Sequence, residues 1–294
     1  MNVSRSPVVP RRRLGSELRR LREVAHKTVD DAAAVLECSA SKISRLETGK
    51  GVPRTRDVRD LIEYYGNVPQ PERDRLLRWA SEGQGQGWWN DYRDVLGGEL
   101  MADHLLRYIT LEGDASKIRS FEPEVIPGLL QSEEYVYSMS ALFWPESSAE
   151  ERARYVQFRM RRKEYLHRGV GALNFEVIVG ESALQHPIGD QEVMRRQLES
   201  LRKTLEESQA NVSLRILPRL AAVRHALGGS FSIVKFEDDD DQDVVYFEGR
   251  EGATYLEKLS DIERYDHKFD EIESVSSNRA DSLARIDEEI RTIA

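Results

Sequence analysis

Between Ser39 and Arg45 the chain sets small and cationic side chains at helical spacing: Ser39, Ala40, Ser41, Lys42, Ser44 and Arg45. Ile43 and Leu46 interleave with them and turn the other way, leaving one outward polar face. Short hydroxyl and methyl groups permit close approach to base edges, while the cations suit phosphates and guanine edges. That is the chemistry of a helix entering the major groove of duplex DNA. Ser39 is placed to cap this helix through its hydroxyl.

So short a helix cannot hold its own position, and its neighbours must supply it. Residues 28–47 read as two short helices joined by a tight turn, with Ala33 small enough for the crossing. Val29, Val35, Leu36, Ile43 and Leu46 are expected to form the apolar side of the pair. Upstream, Leu14, Leu18, Leu21 and Ala25 make an amphipathic helix ending near His26 and Lys27. Downstream, residues 49–53 form a turn, Val58, Leu61, Ile62 and Tyr65 give another stripe, and Pro71 starts a helix carrying Leu76, Leu77 and Ala80. The expectation is an all-α module of five short helices. Thr28 opens the first helix of the pair, and Lys50 and Arg54 follow the second; these three complete the expected DNA-binding set. Ser39-Ala-Ser-Lys-Ile-Ser-Arg-Leu-Glu-Thr-Gly49 resembles the recognition helix and following loop of Xre/Cro-repressor-type helix-turn-helix regulators. Glu37 departs from that family, which usually has Gly in the turn; a left-handed backbone there costs a non-glycine residue about 1–2 kcal/mol.

Charge divides the chain. Overall, 43 Lys+Arg meet 52 Asp+Glu, a net −9. Residues 1–82 hold 17 against 12, so +5, and the remainder 26 against 40, so −14. A basic module on an acidic body is the asymmetry expected when one end meets phosphate. Arg5, Arg11, Arg12 and Arg13 read as a basic stretch ahead of the first helix, with Pro7 and Pro10 keeping it extended, either along phosphates or simply solvated. The expected layout is an N-terminal arm at 1–10, the helix-turn-helix domain at 11–82, a linker at 83–90 and an effector-binding and dimerisation domain at 91–294. Gly83, Gly85 and Gly87 read as a flexible hinge rather than a phosphate loop, lacking the strand before it and the Lys-Ser/Thr pair. Trp88, Trp89 and Tyr92 are expected to dock on the second domain or a dimer mate, a ligand cage being the lesser alternative. Cys38, the one cysteine, excludes an internal disulfide. With no apolar leader and no run of about 20 apolar residues, the expectation is a cytoplasmic protein.

The second part reads as α+β with a small, mostly antiparallel sheet. Strands are expected at 173–179, 212–217, 230–236 and 244–248, and helices at 133–143, 149–165, 191–208 and from Tyr255 onward. The acidic run 237–243 lacks the alternating ligands, central Gly and final Glu of a calcium loop, so it reads as a solvated turn. Ile118-Arg-Ser-Phe-Glu-Pro-Glu-Val-Ile-Pro-Gly-Leu-Leu-Gln-Ser-Glu-Glu-Tyr135 resembles the signature of a C-terminal domain of unknown function common in actinobacterial Xre-type regulators. Residues 178–184, 193–198, 216–218 and 245–248 add to the likeness, and Met160-Arg-Arg-Lys163 departs from it where an Arg-Gln pair is more usual. The resemblance implies a transcriptional regulator whose second domain binds an effector, with a small partner protein favoured because such genes often neighbour one for a small protein. The alternatives are a small-molecule-sensing repressor and an antitoxin-like interaction protein.

Pro127 and Gly128 read first as a rigid corner, with a cleft lined by Phe121, Glu122, Gln131 and Tyr135 as the alternative, the tentative effector site. An enzyme is the competing class. The six histidines, His186 and His225 among them, are scattered without metal-ligand spacing, no nucleophile elbow surrounds Ser182, and nothing brings Glu181 to Glu248. No catalytic residue, metal or cofactor is expected. One recognition helix reads only a few base pairs, so the expected assembly is a homodimer on a two-fold or paired-site double-stranded DNA operator. Leu283, Ile286, Ile290 and Ile293 are the candidate dimer seam, with closure of the domain core as the alternative.

Overall fold

The computed structural model describes residues 7–85, 87–95, 99–167, 171–207, 211–225, 228–237, 241–249 and 252–293. The chain divides into two compact units, Met1–Asn90 with Asp238–Asp241, and Asp91–Glu237 with Gln242–Ala294.

The first unit contains five α-helices: α1 (Val8–Val24), α2 (Val29–Val35), α3 (Ala40–Glu47), α4 (Thr55–Tyr65) and α5 (Gln70–Glu82). Their apolar stripes meet in one core around Leu14, Leu18, Ala33, Ile43, Leu61 and Leu76. Val35 departs from the expected apolar side and is 38% exposed. The basic stretch is corrected too. The helix begins at Val8, so Pro10 and Arg11–Arg13 lie inside α1 rather than in an extended arm. Pro10 sits in the first turn, where a missing N–H breaks no helical bond. Arg5 lies outside the described residues. The glycine run expected to hinge is fastened at its start, where Arg11 donates from Nε to the Gly83 carbonyl at 2.6 Å and from Nη2 to that of Gly85 at 3.0 Å.

A 3₁₀ stretch (Trp88–Val95) spans the boundary at Asn90, and the second unit then contains α6 (Glu99–Asp114), β1 (Lys117–Glu122), α7 (Glu133–Phe143), α8 (Ala149–Arg162), β2 (Asn174–Gly180), α9 (Glu181–Gln185) and α10 (Gln191–Glu206). There follow β3 (Val212–Leu217), α11 (Arg219–His225), β4 (Phe231–Lys235), β5 (Val244–Gly249), β6 (Gly252–Leu256), α12 (Leu259–Ser274) and α13 (Arg279–Ile293). Among the described residues the sheet has six strands in the order β3-β2-β1-β4-β5-β6. It is mixed, which corrects the mostly antiparallel expectation: β1–β2 and β2–β3 run parallel, whereas β1–β4, β4–β5 and β5–β6 run antiparallel. The physical reason is the connection: α7 with α8, and α9 with α10, carry the chain back to the same edge, as parallel pairing requires. Tyr255 and Leu256, expected to open a helix, instead end the edge strand β6.

The two faces of β1 differ. Phe121 packs on Phe231 with ring centroids 5.9 Å apart, in a core shared with Ile178, Ile233, Val245 and α12 residues Ile262 and Phe269. Ser120 and Glu122 point the opposite way. α13 packs along α10 and β3, with Ile286 fully buried, so the candidate dimer seam closes this unit's own core. Tyr92 docks on Phe158 of α8, centroids 5.6 Å apart.

Candidate nucleic-acid interface

The turn before α3 decides where its polar face points. α2 ends at Leu36, and Glu37 takes a left-handed backbone with φ +48°. The Cys38 N–H donates to the Ala33 carbonyl at 2.9 Å and the Glu37 N–H to that of Ala34 at 3.2 Å. This paired closure is the Schellman arrangement, usually given to glycine. Here Glu37 adopts it and carries the strain. Cys38 is half-buried against the helical core.

Ser39 caps α3 as the sequence predicts, and α2 carries a cap of its own at Thr28. Thr28 accepts from the Asp31 N–H at 3.1 Å while Asp31 accepts from the Thr28 N–H at 2.8 Å. This capping box holds the Asp31 carboxyl below its ordinary range, through the backbone N–H first and the hydroxyl second. Ser39 accepts from the Lys42 N–H at 3.3 Å. α3 buries Ile43 and Leu46 and exposes Ser41, Lys42, Ser44 and Arg45, with Ala40 half-buried at its start. Lys50 and Arg54 are exposed beyond its end. Arg45 has no ion pair among the described residues. Lys42 does: its Nζ lies 2.6 Å from Asp57 of α4. That pair is solvent-exposed on the lysine side and worth at most about 1 kcal/mol, so a phosphate can replace it.

Two anchors behind α3 escaped the sequence reading. Arg22 of α1 grips Glu47 at the end of α3 with Nε–Oε1 at 2.6 Å and Nη2–Oε2 at 2.9 Å, and donates from Nη1 to the Lys27 carbonyl. Both side chains are nearly buried. Gly15 lets α1 cross that same end: a Cβ there would lie 2.5 Å from the Leu46 carbonyl oxygen. Gly15 one position after Leu14, and Arg22 one position after Leu21, were the available signals.

The tentative effector residues do not converge. Phe121 belongs to the core on the other face of the sheet. Gln131 donates from Nε2 to the Ile126 carbonyl at 2.7 Å, and the Tyr135 hydroxyl accepts from the Ile126 N–H at 3.5 Å. Gln197 of α10 clasps the same corner, accepting from the Ser132 N–H and donating to the Leu130 carbonyl. Residues 126–132 thus form a braced corner, which takes up the side chains once assigned to a cleft. Of the four, Glu122 lines the cavity behind β1, together with Glu248. Glu181 instead accepts from the Arg219 N–H and from Arg285. His186 is exposed, and the side chain of His225 lies outside the described residues, as do residues 238–240 of the acidic run. Among the described residues no three His, Cys, Asp or Glu side chains are grouped to hold a metal ion, and no helix is long and apolar enough to cross a membrane.

Comparison with protein families matches residues 13–76 to a helix-turn-helix domain and residues 105–288 to a domain of unknown function (DUF5753). The second match covers most of the chain, which therefore belongs to the family defined by that domain. Its first unit carries the architecture of helix-turn-helix regulators. No curated protein and no solved structure matches the chain.

Proposed function

We propose that this protein is a sequence-specific DNA-binding transcriptional regulator of the Xre type, whose acidic C-terminal unit binds an effector. The observation carrying the first half is the capped α3, with Ser41, Lys42, Ser44 and Arg45 outward and Ile43 and Leu46 locked inward. Ser39, Ser41 and Ala40 offer short contacts to bases, Arg45 a bidentate contact, and Lys42, Lys50 and Arg54 neutralise phosphate. Thr28, at the start of α2, completes the set: its hydroxyl accepts from the Asp31 N–H and keeps its own proton to donate to a backbone phosphate. Two copies on a symmetric operator give the affinity one helix lacks. The assignment to regulation is supported by the polar face of α3 and by the helix-turn-helix match.

Selection from a randomised duplex pool, followed by anisotropy titration of the winning site, tests this reading. It expects a two-fold or repeated motif and tight binding at physiological salt. Recovery of no motif, with binding that vanishes by moderate salt for every duplex, would sink it. A pull-down with the full chain separates the two effector classes. A stoichiometric small protein supports a protein-controlled regulator, while the internal cavity beside Glu122 supports a small-molecule effector.

A further inference from the structure

Behind β1, between the sheet and helices α6 and α8, lies a cavity of about 60 Å³. One water needs only about 10–15 Å³, whereas drug-sized ligands fill hundreds, so the space suits a molecule of a few heavy atoms. Its floor is polar: Ser120 and Ser232 hydroxyls lie 2.9 Å apart, with Glu122 beyond. Leu105, Leu129 and Phe175 form apolar wall.

Two guanidinium groups converge over Gly128. A Cβ on that residue would sit 2.7 Å from Arg159 Nη1 and 3.3 Å from Arg162 Nη1. Arg162 is 3% exposed and spends Nε and Nη2 on the Glu112 carboxylate, at 2.8 and 2.7 Å. Its Nη1 is buried without a hydrogen-bond partner among the described residues. Arg159 donates from Nε to the Tyr155 hydroxyl, which neutralises nothing. Glu112 is the carboxylate bonded to Arg162, Glu122 and Glu248 line the same cavity, and the buried Nη1 donor is left unmet, at a cost that a bound acceptor would remove.

We propose that this cavity binds a short-chain organic acid, its carboxylate received by Arg159 and by Nη1 of Arg162 beside Gly128, its hydrocarbon end lying against Leu105, Leu129 and Phe175. A carboxylate matches the planar guanidinium fork, and the apolar wall favours an organic acid over inorganic phosphate. Burial first, and the Glu248 carboxylate second, push the Glu122 carboxyl up to about 8. The shift favours the protonated form of Glu122, while Glu248, exposed to solvent, lines the same cavity. The inference rests on the reading of the second unit as effector-binding, and supplies the site and ligand class which that reading lacks.

Calorimetric titration of the full chain with acetate, butyrate and phosphate at constant ionic strength is the test. Saturable butyrate binding is expected, with phosphate weaker by about ten-fold or more. Arg159→Gln removes one charged donor and should weaken butyrate by about ten-fold or more while the protein keeps its circular dichroism and melting temperature. Gly128→Ala should do the same by crowding both guanidinium groups; if it fails to fold, Arg159→Gln alone decides. Unsaturable heats for every acid, equal affinity for phosphate, or unchanged butyrate affinity in Arg159→Gln would each overturn the proposal, leaving a cavity filled by water. Operator anisotropy on the same sample keeps the two failures apart. DNA binding without acid binding removes the cavity site alone, and acid binding without DNA binding removes the regulator reading alone. An operator affinity unmoved by saturating butyrate removes the effector role and leaves the site.

Discussion

The polar groups of α3 and those behind β1 live under opposite physical conditions. On α3 the cations stand in water, with at most one exposed partner, and their neighbours are chosen to fix the backbone rather than the side chains. Behind β1 Arg162 is withdrawn from water and Arg159 is half-buried; Arg162 is held by Glu112 with one donor left unmet, and Arg159 by the Tyr155 hydroxyl. The first arrangement waits for a partner that brings its own dense negative charge. The second presets a geometry for something small. Removing an exposed cation of α3 should therefore cost binding, and removing the carboxylate that holds buried Arg162 should cost folding.

The comparison breaks most sharply at Glu112. Glu112→Ala strands the buried Arg162 guanidinium and should destabilise the second unit by about 3–5 kcal/mol in denaturant titration. The double replacement Glu112→Met with Arg162→Met should recover most of that loss; failure to recover would mean that packing, not charge, sets the cost. On the other side, Arg45→Ala should weaken operator binding by about 1–3 kcal/mol in anisotropy titration and leave the melting temperature alone. An unchanged dissociation constant would remove Arg45 from the interface. Glu37→Gly should raise stability by about 1 kcal/mol, because φ +48° strains a side-chain-bearing residue. A neutral or negative shift in thermal melting would show that entropy lost by glycine offsets the relief.

Two smaller effects sharpen the contrast. Glu122 has its folded carboxyl raised from the ordinary 4.5 to about 8, by burial and by Glu248, with Arg159 and Ser120 pulling weakly the other way. The folded state therefore holds a proton that the unfolded chain releases. Its stabilising contribution is complete below pH 4.5 and fades as pH rises toward 8. Glu122→Gln should flatten that decline in a series of denaturant titrations, and an identical slope would place the carboxyl in ordinary solvent. Lys42→Ala, in turn, should lower the salt-dependence slope of operator binding by about one counterion with little loss of sequence preference.

The legibility of the chain follows the same division. α3 was readable because the features that define its polar face are local: Ser39 three residues before the N–H it caps, Ile43 and Leu46 on one face, the turn at Glu37. The distant anchors Arg22 and Gly15 were not. β1 was not readable as a strand, since Lys117-Ile-Arg-Ser-Phe-Glu122 carries polar residues in the middle of a sheet. Those residues are satisfied from far along the chain, Arg119 by Asp266 and Asp270 of α12, and Ser120 by Ser232 of β4. Distance in sequence hides such partners. The parallel pairs had a local signal in the alternation of strands with helices at 133–162 and 191–206. The corner at Pro127 was read correctly as a corner. Its role beside Arg159 and Arg162 was out of reach, because α8 comes thirty residues later in a pairing that no periodicity announces.

Arg11 bears on how the first unit can be cut from the chain. The helix-turn-helix match begins at residue 13 and ends at 76, yet the hydrogen bonds from Arg11 run to Gly83 and Gly85. A fragment trimmed to the matched limits discards both ends of that clasp and cuts α5 in its middle, taking buried Ala80 out of the core and offering a protease its first cut at the frayed stump. The fragment to express is the one that runs from residue 7 to residue 85.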